Sequence, residues 1–297
     1  MDKQKYGTMK KILIPLLSVS ALLAAACAGE SGMDWKRIGM DGSRTGVRAC
    51  TADDVAENLG VIDGDIYTAP NGRTFAKGSA TYDVAELLLA AQPEMADLKQ
   101  VIGYSTREMV RRGPESELSN WFIDELMRAA EEKSGKKVHF GITNFGGIRL
   151  DMPQGDVLMD DLVSMFPFRN NLCYLELYGR DIRAMLERFA ARSWQVIGGA
   201  RCVVQEGKLV SAEIDGAPID DDRIYGVATI SFLLNGGDGI SVAHNAVSLK
   251  IFDEYIIDVM LPYVQRLTAE GKPIEYRKDG RIQYLDADGN VIDKPRR

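Results

Sequence analysis

The chain has 297 residues, and its 36 Lys and Arg against 43 Asp and Glu give a formal net charge of −7. An acidic chain offers no uniform basic surface for phosphate, which argues against a general nucleic-acid-binding protein. The hydrophobic fraction of 45% is that of an ordinary globular protein, and two His residues leave little material for a His-rich metal centre.

The first 27 residues have the three parts of an export signal. Lys10 and Lys11 precede an apolar run, 12–26, which ends in small residues before Cys27. The run is too short for a permanent membrane-spanning helix and predicts a signal peptide. The stretch before Cys27 resembles a bacterial lipobox, in which the Cys becomes the acylated N-terminus. We expect an exported lipoprotein held to the membrane by its acyl chains, on a periplasmic or outer-membrane face. The alternative is a cleaved secretory peptide with an incidental Cys.

The rest of the chain divides into two parts. Residues 28–97 are rich in small polar residues and turn signals and indicate an N-terminal extension. Residues 98–297 alternate strand-length and helix-length segments, without a Rossmann glycine motif or a P-loop Lys. The expected fold is a mixed α/β (α+β-like) domain, a mixed β-sheet with packed helices. The predicted elements are helices at 84–91, 115–133, 181–191 and 251–267, strands at 138–143, 171–177, within 200–214 and at 224–230, and a terminal hairpin or meander.

The cysteines and histidines show no metal-ligand spacing. If Cys27 is acylated, Cys50, Cys173 and Cys202 remain, without a Cys-x-x-Cys pair. One disulfide among them stays open, although burial as small apolar side chains is favoured for Cys173 and Cys202. His139 and His244 lie far apart in the sequence and are interpreted as residues without metal.

Two segments combine loop-forming residues with groups that bind ligands. In the first, a strand ends in Asn144, followed by Gly146, Gly147 and Arg149. Adjacent glycines let backbone N–H groups approach an anion, and Arg supplies a forked donor. A tight turn with a surface Arg is the alternative. The second segment, 166–170, places aromatic rings beside an amide, a combination that can stack on a planar base and hydrogen-bond to it. Its chemistry-bearing residues are Phe168 and Asn170, and a core role for the Phe is the alternative.

A third segment, 232–239, follows an aromatic residue with three glycines around one acid. Such a loop indicates a backbone held close to a ligand, and its carboxylate could accept hydrogen bonds from a vicinal diol. A calcium loop is the competing interpretation. It is weakened because calcium needs six or more oxygen ligands and this segment has only one carboxylate. The segment's key residues are Phe232, Gly236, Gly237, Asp238 and Gly239.

Together the three segments resemble the C-terminal, substrate-binding domain of the 5'-nucleotidase family, over roughly residues 115–261. The family clamps the nucleobase between two aromatics, which correspond to Phe168 and Phe232. The resemblance implies that Asp238 accepts from both ribose hydroxyls, that Asn144 and Arg149 lie near the phosphate, and that Asn170 has a secondary role. It also implies a binding site in loops at one rim of the sheet.

The resemblance extends to a helix-opening motif, with one departure. Residues 115–120 look like the family's Glu-x-x-Leu-Gly-Asn, with Ser119 in place of Gly. The family places an Arg before this Glu, whereas this chain has Pro114, and Arg112 is only a nearby substitute. Phosphate contacts are therefore less secure than base contacts.

Family members cleave phosphate esters with an N-terminal metallophosphatase domain that holds two divalent metals. The stretch before Glu115 is too short for such a domain, and no Asp-x-His pattern is present. The resulting hypothesis is the nucleotide-recognition half of a split 5'-nucleotidase or nucleotide-sugar hydrolase in nucleotide catabolism. It would act with a separate metallophosphatase that carries the metals, so no cofactor and no catalytic residue is assigned to this chain. A self-sufficient phosphoester hydrolase and a non-catalytic surface binding lipoprotein are the alternatives.

Overall fold

The computed structural model describes residues 54–293, and the predicted signal peptide, Cys27 and Cys50 lie outside them. The described helices are α1 (Val55–Leu59), α2 (Ala80–Ala91), α3 (Glu117–Ser134), α4 (Met159–Met165), α5 (Gly179–Ala191) and α6 (Ile256–Ala269). The strands are β1 (Val61–Asp63), β2 (Ile66–Thr68), β3 (Thr74–Ala76), β4 (Val101–Ser105), β5 (Phe140–Thr143), β6 (Gly155–Leu158), β7 (Asn171–Tyr178), β8 (Val196–Gly198), β9 (Ala200–Gln205), β10 (Lys208–Ile214), β11 (Ala217–Pro218), β12 (Ile224–Ile230), β13 (Ser248–Tyr255), β14 (Ile282–Leu285) and β15 (Val291–Ile292).

The central layer is a five-stranded mixed sheet in the order β13-β7-β12-β5-β8. Strand β12 pairs parallel with β5 and antiparallel with β7, which confirms the expected mixed sheet. Helices α3 and α6 contact each other and this sheet, and α5 contacts both β7 and β10 of the second sheet. Because β5 and β12 are covered by neighbouring elements, their residues are almost entirely apolar and buried.

A second five-stranded sheet has the order β11-β10-β9-β14-β15. Strands β9 and β10 form a hairpin, and β14 joins the outer edge of β9 in parallel. The hairpin β14–β15 confirms the turn predicted from the Gly-containing tail, and it also shows that the tail completes a sheet begun 80 residues earlier along the chain.

Helix α3 carries the largest share of the core and has clear end signals. Ser116 caps its N-terminus in a capping box with Ser119, and Glu117 lies in the first turn. The helix ends at Gly135, whose φ of 68° is left-handed. Its apolar face buries Trp121 and other side chains, each almost fully removed from water. The predicted helix 115–133 is thus confirmed within two residues.

Several sequence predictions need correction. The helix expected at 251–267 is wrong over its first turn, because residues up to Tyr255 form β13 and the helix starts at Ile256. Strand β13 is an edge strand whose Leu249 and Ile251 are exposed, so its apolar residues do not alternate with polar ones in the pattern of a half-buried strand. The helix expected at 84–91 begins four residues earlier, where Ser79 accepts a hydrogen bond from the backbone N–H of Tyr82.

The described segment before residue 97 has its own small sheet and apolar cluster, which were not predicted in detail. Strands β1, β2 and β3 make an antiparallel sheet that packs with α2 around Tyr67, Tyr82 and Ala85. Strands of three residues carry too few positions for an alternating pattern to be read from sequence.

No helix within residues 54–293 has the length and apolar character needed to span a bilayer.

Candidate functional site

One edge of the central sheet gathers all three predicted segments. Strands β5 and β12 are parallel, so the loops that follow both of them emerge at the same edge. Strand β7 runs antiparallel to β12, with Leu172 opposite Ile230, so the loop before β7 reaches that edge too. Ligands of α/β sheets bind at such edges, outside the carboxyl ends of strands. The sheet topology therefore brings together residues 144–149, 166–170 and 231–239.

A side-chain hydrogen bond joins two of these loops. The amide Nδ2 of Asn144 donates to Oδ2 of Asp238 over 2.8 Å. Asn144 is buried, whereas Asp238 is exposed and sits in the left-handed region with φ of 51°. The bond fixes the Asn144 amide, since only its nitrogen can donate to a carboxylate. It leaves one carboxylate oxygen of Asp238 available at the surface.

The glycines of both loops leave space that side chains would fill. A Cβ added to Gly147 would lie 2.8 Å from Oδ1 of Asn144, and one added to Gly146 would lie 3.2 Å from Nδ2. A Cβ on Gly237 would lie 2.2 Å from the carbonyl oxygen of Phe232. These three glycines thus allow neighbouring atoms to lie close to the backbone, which a side chain would prevent. Gly236 and Gly239 instead have left-handed φ values, 104° and 71°.

The two aromatics named by the sequence are exposed, whereas Phe166 in the same loop as Phe168 is buried. Phe168 and Phe232 are 46% and 44% exposed. Phe166, two residues before Phe168, is buried and packs on Phe122 with ring centroids 4.6 Å apart. The core role considered for the aromatics of this loop therefore belongs to Phe166. The exposed rings flank the glycine loops, Phe232 against Gly237 and Phe168 beside Arg149, whose guanidinium carbon lies 5.8 Å from the ring centroid.

Two arginines donate to carbonyl oxygens of the turn after β5, and sequence reasoning missed one of them, Arg111. Arg149 donates from Nη1 to the carbonyl oxygen of Gly146 over 3.3 Å. Arg111 donates from Nη1 to the carbonyl oxygen of Ile148 over 2.7 Å. Arg112, the substitute suggested by sequence, is exposed and makes no side-chain hydrogen bond or ion pair within the described residues. No sequence pattern distinguishes the two adjacent arginines, because the choice depends on how residues 106–114 approach the turn.

Asn170 lines the same small cavity as Phe168. Its backbone carbonyl accepts a hydrogen bond from the N–H of Ile256, and its side chain borders a cavity of about 10 Å³. Thr143 faces this cavity with a buried hydroxyl that has no protein partner. A space of this size holds one water molecule.

The helix-opening motif has a structural role. Oε1 of Glu115 accepts hydrogen bonds from Nδ2 of Asn120 over 2.8 Å and from the backbone N–H groups of Asp279 and Gly280. Buried Arg281 adds bonds to both carboxylate oxygens of Asp124. These contacts attach the C-terminal segment to α3.

The remaining candidate residues lie away from this edge or outside the described chain. His139 accepts a hydrogen bond at Nδ1 from the N–H of Gly226, and burial lowers its pKa. Cys173 and Cys202 are free and buried, which confirms their predicted burial, and burial raises the pKa of each thiol to about 12. Among residues 54–293, no group of three or more His, Cys, Asp or Glu side chains is placed to hold a metal ion.

A mixed α/β domain with glycine loops, exposed aromatics and a fixed carboxylate at one sheet edge has the features of a small-molecule-binding domain. Residues 98–245 match the family described as 5'-nucleotidase, C-terminal domain, and this part of the chain belongs to that family. The resemblance seen in the sequence is thereby confirmed.

Similar proteins support this assignment. The trifunctional nucleotide phosphoesterase protein YfkN of Bacillus subtilis is 29% identical over 65% of this chain and 14% of its own length. The cell wall protein Lmo0130 of Listeria monocytogenes is 27% identical over 78% of this chain and 33% of its own. A 5'-nucleotidase precursor from Thermus thermophilus, at 24% identity, shares the fold with a TM-score of 0.61 over 75% of this chain and 50% of that one. The chain thus spans half or less of the length of each of these proteins.

Proposed function

We propose that this chain supplies the nucleotide-recognition part of a 5'-nucleotidase or nucleotide-sugar hydrolase. The observation that carries the proposal is the Asn144–Asp238 hydrogen bond, which joins two glycine loops between two exposed aromatic rings. A nucleoside has a planar base and a vicinal diol, and the edge of the sheet offers groups suited to each. Membership of the 5'-nucleotidase C-terminal domain family supports the same reading.

The base stacks between Phe168 and Phe232 in this proposal. Each base–ring contact is worth about 1–3 kcal/mol. Stacking tolerates different bases because every base has a π-face. Asn170 lines the small cavity together with Phe168, and its role in the proposal is secondary.

The ribose hydroxyls donate to Asp238. Its carboxylate already accepts from Asn144 through one oxygen, so the second oxygen keeps its lone pairs for the ligand. Asn144 thereby holds the carboxylate in one orientation before the nucleotide arrives. Arg149 lies on the same turn and faces the phosphate end of the ligand.

Phosphate-ester cleavage is assigned to a separate metallophosphatase subunit with two divalent metals. The donor set in residues 54–293 does not fit such a centre, because no three metal-binding side chains converge there. The metal chemistry of the proposal therefore belongs to the partner. In this arrangement the chain binds and orients the nucleotide, and the partner activates water.

We further propose that the chain is exported and anchored through Cys27. The similar Listeria protein is described as a cell wall protein, which is in keeping with a site of action outside the cytoplasm. Labelling cells with a radioactive or alkyne-bearing fatty acid would mark the wild-type chain, and Cys27→Ser would abolish the mark. Retention of the label in that variant would contradict the anchor.

Calorimetric titration of the full chain with adenosine, AMP and a UDP-sugar tests the binding site. We expect binding of at least one nucleoside-containing ligand, weakened about five- to a hundred-fold by Phe168→Ala or Phe232→Ala. Tyr104→Ala is the matched control, because Tyr104 is 53% exposed on β4, outside the three loops. If no ligand binds the wild-type chain, or if all three variants bind alike, the proposal fails.

Adding a dinuclear metallophosphatase to the chain tests the division of labour. The mixture should release phosphate from AMP in a reaction that a chelator stops, and Phe232→Ala should slow it. Chelator-resistant phosphate release by the chain alone would contradict the split arrangement.

A further inference from the structure

The C-terminal end of α5 contacts both glycine loops of the site. Nη2 of Arg188, in the last turn of the helix, donates to the carbonyl oxygen of Gly239 over 2.6 Å. Gln195, between α5 and β8, accepts at Oε1 from the backbone N–H of Phe145 over 3.4 Å. One short stretch of chain therefore hydrogen-bonds to the loop after β5 and to the loop after β12.

These two contacts close a network around the Asn144–Asp238 hydrogen bond. Gly239 follows Asp238 in the chain, Phe145 follows Asn144, and the Asn144 amide donates to the Asp238 carboxylate over 2.8 Å. The network thus runs from α5 through one loop, across the side-chain bond, and back through the other loop. Hydrogen bonds from supporting residues are what hold a binding group in its productive geometry.

The Asp238 loop has a backbone that requires such support. Asp238 has a φ of 51°, in the left-handed region, and Gly236 and Gly239 are left-handed as well. A residue with a side chain persists in this region only where the surrounding structure holds it there. Asp238 is also exposed, so packing against the core does not fix its carboxylate.

Helix α5 provides a fixed support because it is attached to the core. Its buried face includes Ile182, Leu186 and Phe189. Arg188 lies on the exposed face, so an Ala substitution there removes the hydrogen bond to Gly239 without opening a cavity in the core. The contact of Arg188 with the loop can therefore be tested without unfolding the chain.

We propose that Arg188 and Gln195 are positioning residues for Asp238, which keep its carboxylate where a ribose diol can donate to it. The inference rests on the proposed function, since the diol must reach Asp238. Neither residue touches the ligand. Arg188 acts through the carbonyl of Gly239, and Gln195 acts through the N–H of Phe145. The preference for a nucleoside with a 2',3'-diol over one without it therefore depends on the end of α5.

The test compares adenosine with 2',3'-dideoxyadenosine, which has the same base and lacks the diol, by calorimetry on the full chain. The wild-type chain should bind adenosine more tightly. Arg188→Ala should weaken adenosine about three- to ten-fold, as expected for one hydrogen bond, and change dideoxyadenosine by less than about two-fold. Gln195→Leu removes a longer bond and should weaken adenosine by less. Arg188→Lys keeps one donor and should recover part of the adenosine affinity.

Two further variants separate positioning from a general effect of charge or stability. Arg192→Ala removes the same charge four residues further on, from an exposed side chain without a hydrogen bond or ion pair in the described residues, and should change neither ligand. Asp238→Ala removes the carboxylate itself, so adding Arg188→Ala to it should cost adenosine nothing further. Full additivity of these two changes would show that Arg188 acts elsewhere and would overturn the assignment.

The remaining outcomes are also decisive. Equal weakening of adenosine and dideoxyadenosine by Arg188→Ala would show that Arg188 braces the loop as a whole, which overturns the assignment. Unchanged adenosine affinity in Arg188→Ala, or a comparable loss in Arg192→Ala, would overturn it too. If the wild-type chain bound both ligands equally, the diol contact and this assignment would fail while base stacking stood. If it bound neither, the proposed function would fall, and this assignment with it.

Discussion

A methyl group at Gly237 is expected to disable the Phe232 side of the site. The added Cβ would lie 2.2 Å from the carbonyl oxygen of Phe232 and 2.7 Å from its ring carbon Cδ1. Ordinary contact begins at 3.4 Å, so the carbonyl must move by about 1.2 Å. Because Gly237 does not have a left-handed φ, the collision is the cause, and backbone strain adds nothing.

The expected cost has two measurable parts. Overpacking of this kind destabilises by about 1–3 kcal/mol, to be read from urea unfolding followed by circular dichroism. Displacing one stacking ring should weaken adenosine about five- to a hundred-fold, to be read from calorimetry. Gly113→Ala is the control, because its added Cβ would make only ordinary contact, at 3.6 Å from Phe145.

A double variant makes the reasoning refutable. If Gly237 acts by positioning the Phe232 ring, Gly237→Ala should weaken binding little further once Phe232→Ala is present. Full additivity would show that the two residues act separately. Wild-type affinity in Gly237→Ala alone would refute the link between the loop and the ring.

Three further predictions concern the scaffold. Burial lowers the pKa of His139 below its ordinary 6.5, so as pH falls the imidazole is protonated in the unfolded chain before it is protonated in the folded chain. The free energy of unfolding should therefore fall as the pH drops from 6.5 to the lower pKa of the folded chain. The variant His139→Gln should show a smaller fall in urea titrations. Cys173 and Cys202, buried with thiol pKa values of about 12, should resist iodoacetamide at pH 8 until urea is added, and peptide mass spectrometry showing alkylation of the native chain would contradict this. Arg281→Met should cost about 3–5 kcal/mol by leaving Asp124 without its buried partner, and adding Asp124→Asn should recover part of the loss.

Sequence reasoning identified the three candidate loops because their signals are local. Adjacent glycines, an exposed aromatic and a single acid are short patterns, and the structure brings the loops that carry them to one sheet edge. Strand β12 has the bounds predicted for it, 224–230, since its apolar run is bracketed by polar residues. Hydrophobic pattern and turn chemistry suffice for features of this kind.

The features that were missed depend on contacts distant in sequence. Strands β4 and β6 pair across some fifty residues, and each is too short to show a pattern by itself. The change from β13 to α6 at Ile256 has no Gly or Pro to mark it, so residues 251–267 were interpreted as one helix. Arg111 contacts the turn after β5 only once the chain has folded and the segment before α3 packs against that turn. The sequence alone does not show this contact.

The parallel pairing of β5 with β12 also makes the site a reporter of the folded state. The three loops come from separate stretches of the chain, so the nucleotide of the proposed function would bind only molecules in which both strands have already paired. A ligand at a hundred times its Kd would then raise the free energy of unfolding by about 2.7 kcal/mol. The slowing of amide hydrogen exchange should centre on Val227 and Ala228, where the two strands pair, although neither residue lies in the three loops. Binding would thus slow amide hydrogen exchange in the middle of the sheet as well as at its edge.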